Sequence, residues 1–194
     1  LEEFPSGTLR RGLFQTLMHG LRLWDKAAAR RVDLFLANSE TTRARIQKYY
    51  GRESTVLPPP LSPQLAPQTA LPAPAPRRYF LFVGRLSPYK GTRVVLETFN
   101  KLELPLVVVG QGRNAATVRR LQGPTISSRG FVSDEQLVGL YAGARAVLFP
   151  SDDDFGLVPI EAMAQGTPVL ALRRGGATET VLEGVTGEFF DEPI

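Results

Sequence analysis

The strongest constraint on the fold of this chain is an alternation of short apolar segments with helical segments, which begins at residue 79. Most apolar segments are continuous, without polar alternation, which is typical of parallel strands buried on both faces. The predicted strands are 79–83, 106–109, 125–128, 146–149 and 168–171. The predicted helices are 92–101, 114–121, 134–141, 157–164 and 178–182. This order predicts an α/β fold, a Rossmann-like parallel sheet with helices on both faces.

A proline-rich segment precedes this region. Eight of the 19 residues from 58 to 76 are proline. Proline has no backbone N–H and a fixed φ, so this segment predicts an extended, semi-rigid linker. We therefore divide the chain into residues 1–57, a hinge or linker at 58–77, and a larger domain at 78–194.

The first part of the chain predicts a basic amphipathic helix over 8–32. Five apolar residues share one side of it, namely Leu9, Leu13, Leu17, Leu21 and Trp24. Six Arg and Lys residues accompany one acid, Asp25. This pattern favours either an interfacial helix on an anionic membrane or a helix packed on further protein. A strand at 33–37, a helix at 42–50 capped by Asn38 and Ser39, and a strand at 55–57 follow.

Composition excludes several classes of site. The chain contains no cysteine, so it has no disulfides, thiolate zinc sites or cysteine nucleophiles. Its one histidine, His19, offers little to a multi-histidine metal site or a catalytic triad. The net charge of +4 is interspersed rather than clustered. It fits a protein that binds phosphorylated small molecules or an anionic membrane better than one that binds nucleic acid.

The start of the sequence and its apolar runs were searched for targeting and membrane-spanning patterns. No signal-peptide pattern opens the sequence, and its apolar runs are far shorter than the roughly 20 residues of a spanning helix. The chain opens at Leu1 without a start methionine, from which we expect a piece of a longer protein.

A basic loop after the first predicted strand is the first candidate site. The strand ends at Gly84, and Arg85 and Lys90 follow before the next helix. In an open parallel sheet, ligands bind outside the carboxyl ends of the strands. Guanidinium and ammonium groups at such an end suit a diphosphate. The alternative is a solvated basic loop.

An acidic segment before the helix at 157–164 is the second candidate. Asp152–Asp154 precede Phe155 and Gly156, whose backbone amides would begin a helix and could bind an anion. Glu161 lies further along that helix, where a carboxylate could hold the vicinal hydroxyls of a ribose. Alternatively, the three aspartates cap the helix and Glu161 is a surface residue.

Two glycine pairs are weaker signals. Gly110 and Gly112 form a Val-Gly-x-Gly turn after the second strand, but residue 115 is alanine, so the dinucleotide-binding G-x-G-x-x-G pattern is not met. Gly175 and Gly176 predict a turn and a helix start near the same edge of the sheet.

Taken in order, these motifs resemble glycosyltransferase family 4, the group 1 retaining enzymes of GT-B fold. The resemblance rests on Gly84-Arg-Leu-x-x-x-Lys90-Gly91, the Val-Gly-x-Gly turn, Phe131-Val-Ser-Asp-Glu, the segment from Phe149 through Asp154-Phe-Gly-x-Val-Pro-x-Glu161 to Val169, and Gly187. It implies that residues 78–194 form the C-terminal, donor-binding half of a GT-B fold, truncated at its C-terminus. Residues 1–57 then resemble the end of the N-terminal, acceptor-side domain.

The resemblance implies roles for individual residues. Arg85 and Lys90 match the pair that holds the donor diphosphate, and Glu161 matches the carboxylate that binds the ribose. Asp153 stands where the family has a glutamate that contacts the sugar, which is a departure because aspartate is one methylene shorter. Further positions match donor-binding segments: Gly84, Gly110, Gly112, Phe131, Val132, Asp154, Phe155, Gly156 and Leu157.

From the resemblance we expect retaining transfer of a hexose from a nucleoside-diphosphate sugar to a glycan or lipid-linked acceptor. Mannose is favoured, because the Asp-Phe-Gly-x-Val-Pro variant resembles mannosyltransferases of O-antigen and polysaccharide assembly. No metal or other cofactor is expected, and the chain alone should be inactive. Location in the cytoplasm, with peripheral contact to the inner face of the membrane, follows as an expectation. Two alternatives stay open: a nucleotide-sugar-binding module without catalysis and a nucleotide-dependent oxidoreductase.

Overall fold

The computed structural model describes residues 8–66 and 76–192, and the chain divides into two compact units, Leu1–Leu57 and Pro58–Ile194. The prolines of the predicted linker at positions 67, 72 and 74 lie outside the described residues. Within the described part of that segment the backbone is not extended throughout. Leu65 is buried, and its carbonyl oxygen accepts a hydrogen bond of 2.8 Å from the Gln165 side-chain amide. An apolar residue of the predicted linker therefore belongs to the packed second unit.

The first unit consists of α1 (Thr8–Ala29), β1 (Leu36–Ala37), α2 (Glu40–Tyr50) and β2 (Thr55–Val56), with β1 and β2 parallel. The Ser39 hydroxyl caps α2 by accepting from the Thr42 amide, as the sequence predicts. The predicted helix over 8–32 and strand over 33–37 were both too long. Arg52 donates to the carbonyl oxygens of Ala29 and Val32, which holds the chain in a turn where α1 ends.

The second unit is a six-stranded parallel sheet with intervening helices. Its strands are β3 (Tyr79–Val83), β4 (Leu106–Val109), β5 (Ile126–Gly130), β6 (Ala144–Phe149), β7 (Val169–Leu172) and β8 (Gly187–Phe190). Its helices are α3 (Thr92–Leu102), α4 (Ala115–Leu121), α5 (Asp134–Ala142), α6 (Leu157–Ala164) and α7 (Ala177–Thr180). The strand order is β5-β4-β3-β6-β7-β8. The chain thus adds β4 and β5 on one side of β3. It then returns to place β6 on the other side of β3 and adds β7 and β8 beyond β6.

The two faces of the sheet carry separate cores, which confirms the predicted layers. One core packs Leu96 and Phe99 of α3 and Val118 of α4 on residues of β3 and β4. The other packs Tyr141 of α5 and Ala162 of α6 on the opposite face. Burying one such leucine or phenylalanine contributes about 1.5–3 kcal/mol. The continuous apolar strands exist because both of their faces are covered.

Two elements were not predicted from the sequence, a short 3-10 helix at Pro88–Lys90 and strand β8. The four residues of β8 begin with a glycine and include the exposed Glu188, so they show no continuous apolar run. Gly187 is required there, because an added Cβ would overlap the backbone carbonyl group of Val169 on the neighbouring strand. Close strand pairing therefore explains this glycine.

Candidate functional site

The site follows from the order of the strands. Strands β3 and β6 are neighbours, yet the chain leaves them toward opposite sides of the sheet. Such a switch point opens a crevice at the carboxyl ends of the two strands, where ligands of doubly wound folds bind. The loop after β3 carries Arg85 and Lys90, and the loop after β6 carries Asp152–Asp154 and Gly156. Both segments that the sequence singled out therefore end at the same crevice.

A direct ion pair joins these two loops. The Lys90 ammonium contacts Oδ2 of Asp153, and the two side chains are 17% and 18% exposed. The Lys90 nitrogen also lies 5.8 Å from the centroid of the Phe149 ring, at the end of β6. The resemblance implies that Lys90 and Asp153 hold different parts of a ligand, and the structure places the two side chains in contact with each other. Arg85 is exposed on the same loop as Lys90.

Glycine positions let the loops approach one another closely. An added Cβ at Gly110 would overlap the carbonyl oxygen of Gly84, and one at Gly112 would overlap that of Leu86. The Gly84 amide donates to the Val109 carbonyl oxygen over 3.1 Å. Packing between the loops after β3 and β4 thus explains Gly110 and Gly112. Contact of Gly84, Gly110 and Gly112 with a donor stays a prediction.

The N-cap residue of α6 is the glycine Gly156. Gly156 precedes the helix with φ +82, and an added Cβ would lie 2.8 Å from the Phe149 ring. Glycine has no side chain, so the N-cap residue itself makes no side-chain hydrogen bond to the first turn of α6. Capping of α6 by the aspartates stays the alternative prediction. The first-turn amides of a helix are suited to bind an anion. Phe155 is buried beneath this turn, whereas Asp154 and Leu157 are exposed.

The second glycine pair supports the acidic loop. The Gly176 amide donates to the carbonyl oxygen of Asp153 over 2.8 Å. Added Cβ atoms at Gly175 and Gly176 would overlap the backbone of residues 153–155. These glycines were predicted only as a turn and a helix start, and they act by letting the turn before α7 hold the loop after β6.

Glu161 occupies a half-buried position on α6 rather than the exposed surface of a helix. The Tyr141 hydroxyl donates to its Oε2 over 2.6 Å. Burial raises the pKa of the Glu161 carboxyl, the Tyr141 hydrogen bond opposes that rise, and the charge of Asp134 adds to it. The sequence analysis did not identify Tyr141, because nothing in the sequence shows that a tyrosine at the end of α5 faces α6.

The loop after β5 brings the remaining predicted residues to the same edge of the sheet. Phe131 is 78% exposed, and Val132 packs partly against the core below α5. A capping box begins α5: the Ser133 hydroxyl accepts from the Gln136 backbone amide, and the Gln136 side chain accepts from the Ser133 backbone amide. A large exposed aromatic side chain in the loop before α5 suits stacking against a flat ligand.

The described residues contain no group of three or more His, Asp or Glu side chains placed to hold a metal ion. Independence from metal stays a prediction.

The chain is similar to known proteins. The family model described as "Glycosyl transferases group 1" matches residues 68–193. The chain is 35% identical over 133 residues to a lipopolysaccharide 1,2-N-acetylglucosaminetransferase of Salmonella typhimurium, covering 59% of this chain and 35% of that protein. It is 36% identical over 130 residues to a D-inositol 3-phosphate glycosyltransferase of Mycolicibacterium smegmatis, covering 61% and 30%. The chain thus spans about a third of the length of these curated relatives.

Solved structures share the fold. A sucrose-phosphate synthase of Thermosynechococcus elongatus matches with a TM-score of 0.75 and 26% identity, over 89% of this chain and 49% of that one. Anabaena HepE, solved with UDP and glucose, matches with a TM-score of 0.71 and 24% identity, over 84% and 50%. The likeness confirms the predicted α/β sheet architecture.

Proposed function

This chain belongs to the group 1 glycosyl transferases, and we propose that it forms the donor-binding part of an enzyme that transfers a hexose, with retention, from a nucleoside-diphosphate sugar to a glycan or lipid-linked acceptor. The observation that carries the proposal is the switch-point crevice. There a cationic loop, a carboxylate and a helix N-terminus that begins at a glycine converge from β3 and β6. Family membership favours this transfer over the oxidoreductase alternative.

The proposed chemistry needs positive charge beside the leaving group. Breaking the bond between the sugar's anomeric carbon and the diphosphate leaves negative charge on the diphosphate oxygens. Arg85, Lys90 and the first-turn amides of α6 would stabilise that charge as it develops. Removing one such donor costs roughly 10²–10³ in rate where it has been measured in other enzymes. The acceptor's proton would pass to a diphosphate oxygen.

Asp153 would meet the sugar in this proposal, and its contact with Lys90 links sugar and diphosphate recognition. Mannose remains our preferred hexose on the Asp-Phe-Gly-x-Val-Pro pattern, whereas a relative is named for N-acetylglucosamine. A thermal-shift screen of the full-length protein with UDP, GDP, ADP and their sugars would identify the donor. A ligand at 100 times its Kd raises the free energy of unfolding by about 2.7 kcal/mol.

The central test removes the cations singly. We expect Arg85→Ala and Lys90→Ala to weaken binding of UDP or GDP, whichever binds the wild type more tightly, about ten-fold or more in calorimetry. Binding of uridine or guanosine should change little, because a nucleoside lacks the phosphates. Arg120→Ala is the matched control, because Arg120 is exposed near the end of α4, at the opposite edge of the sheet. Equal losses for nucleotide and nucleoside would refute the diphosphate assignment.

We also propose peripheral contact between α1 and an anionic membrane. Five large apolar side chains of α1 are between 47% and 73% exposed, namely Leu13, Leu17, Leu21, Leu23 and Trp24. No helix in the described part of the chain is both long and apolar enough to span a bilayer. Packing of the same face on further protein is the alternative. Flotation of the full-length protein with anionic liposomes at low salt, but not with neutral ones, is expected; failure to float with either would favour the alternative.

A further inference from the structure

We propose that Tyr141 is a positioning residue, whose buried hydroxyl holds the carboxylate of Glu161 in the orientation that receives the donor's ribose. The proposal rests on the function proposed above and adds to it a residue that contacts no ligand. Its basis is the hydrogen bond of 2.6 Å between the Tyr141 hydroxyl and Oε2 of Glu161, which joins α5 to α6.

Tyr141 is itself fixed from several directions. Its side chain is completely buried in the core shared by α5, α6 and the sheet. Its backbone carbonyl oxygen accepts a hydrogen bond of 2.6 Å from the hydroxyl of Thr167, which is also buried. A ring held this way cannot follow a moving carboxylate, so the hydroxyl selects one orientation of Glu161. Because the carboxylate is rigid and planar, the bond to Oε2 also restricts the position of Oε1, the other carboxylate oxygen of Glu161.

Among the described residues, Glu161 lacks the cationic partner that a stabilising half-buried carboxylate would have. The titratable groups on the elements packed against α6 are Asp134, Glu135 and Tyr141 of α5, Arg145 of β6 and Glu179 of α7. None of the ion pairs in the described part of the chain involves Glu161. Burial and the charge of Asp134 raise the pKa of Glu161, and only the Tyr141 hydroxyl opposes them. A half-buried carboxylate without a cation is a signature of a functional group.

The Tyr141 hydroxyl should therefore control both the orientation and the ionisation of the Glu161 carboxyl. A carboxylate that accepts from two ribose hydroxyls must be ionised. Without the Tyr141 hydrogen bond the pKa of Glu161 rises further, so the carboxyl takes up its proton at a higher pH. Loss of the hydroxyl should thus weaken ribonucleotide binding and move the acid limb of binding to higher pH.

Tyr141→Phe tests this, because phenylalanine retains the buried ring. Tyr79→Phe is the matched control, since the Tyr79 hydroxyl also donates to α5, at the Leu140 carbonyl oxygen, but does not contact Glu161. In the full-length protein we expect Tyr141→Phe to weaken UDP or GDP binding about ten-fold. The 2′-deoxynucleotide should lose less. Tyr79→Phe should leave the affinity and its pH profile as in the wild type.

A double-mutant cycle separates positioning from general loosening of the core. In a Glu161→Ala background, Tyr141→Phe should cause no further loss of nucleotide affinity. Should Tyr141→Phe unfold the protein, difluorotyrosine at position 141 keeps the ring and makes the hydroxyl a stronger donor. The acid limb should then move to lower pH.

The outcomes are distinct. Wild-type protein that binds neither UDP nor GDP overturns both this inference and the proposed function. Wild-type binding with an unchanged Tyr141→Phe affinity and pH profile overturns the inference alone. An equal loss in Tyr79→Phe, an undiminished loss in the Glu161→Ala background, or an acid limb that difluorotyrosine leaves in place does the same.

Discussion

The ion pair between Lys90 and Asp153 leads to a prediction opposite to the usual effect of removing a binding-site residue. The Asp153 carboxylate contacts the Lys90 ammonium, which the proposal assigns to the diphosphate. A nucleoside diphosphate must therefore separate Lys90 from Asp153 or bind beside a carboxylate of like charge. We expect Asp153→Asn to strengthen the binding of UDP or GDP.

The exposure of the two side chains sets the magnitude. Ion pairs on the surface are worth about 0–1 kcal/mol, and breaking a fully buried pair costs about 3–5 kcal/mol. Side chains that are 17% and 18% exposed lie between these limits. We take about 1–2 kcal/mol as the cost of the competition between Asp153 and the diphosphate for Lys90. Removing that cost in Asp153→Asn corresponds to roughly a 5- to 30-fold lower Kd for UDP or GDP. The nucleotide sugar should gain less, because the substitution also removes a carboxylate assigned to the sugar.

Calorimetry of wild type and Asp153→Asn with UDP or GDP, at moderate salt, measures this difference. The gain should vanish in a Lys90→Met background, because the effect acts through that ammonium. Asp152→Asn removes the same charge from the neighbouring exposed residue and should give a smaller gain. Weaker binding by Asp153→Asn, or an equal gain from Asp152→Asn, would refute the competition between carboxylate and diphosphate.

Two further predictions concern stability. Because burial raises the pKa of Glu161 in the folded state, its ionised form costs stability above that pKa. Glu161→Gln should therefore raise the free energy of urea unfolding at neutral pH by about 1 kcal/mol or less, a small gain because the site is only half-buried. The gain should fade as the pH falls below the ordinary range of a glutamate, and a gain that persists at low pH would exclude the carboxylate as its cause. Gly110→Ala should lower the free energy of unfolding by more than about 3 kcal/mol, because the added Cβ would overlap the Gly84 backbone. Gly139→Ala is the control: the added Cβ enters open space on α5, so this variant should be neutral or slightly stabilising. Similar unfolding midpoints for the two alanine variants would disprove the close approach of the loops.

The sequence predicted the strands that are buried on both faces. The bounds of β3, β4 and α6 agree with the structure, since an uninterrupted apolar run or a glycine-bounded helix leaves little freedom. Strand β8 was missed because an edge strand needs only one apolar face, and Gly187-Glu-Phe-Phe resembles a turn. Local pattern alone therefore underestimates the sheet at its edge.

The candidate site was predicted as a set of residues but not as a set of contacts. Arg85, Lys90, Asp153 and Glu161 were identified from their positions at strand ends and from family motifs. Their pairing depends on which strands become neighbours, and no local pattern contains that information. Tyr141 was missed for the same reason, because its partner lies on another helix.

The order of the strands also has a kinetic consequence. Strands β3, β4 and β5 leave the ribosome before β6, and they are neighbours in the finished sheet, so they have partners to pair with before β6 is available. The ion pair between the two loops spans 63 residues of sequence, so it closes only when the second half of the sheet docks beside β3. An intermediate with β3, β4 and β5 paired and β6 undocked would present Lys90 without Asp153 opposite it. Acquisition of nucleotide binding during refolding would then report completion of the central strand pair, later than the appearance of helical structure.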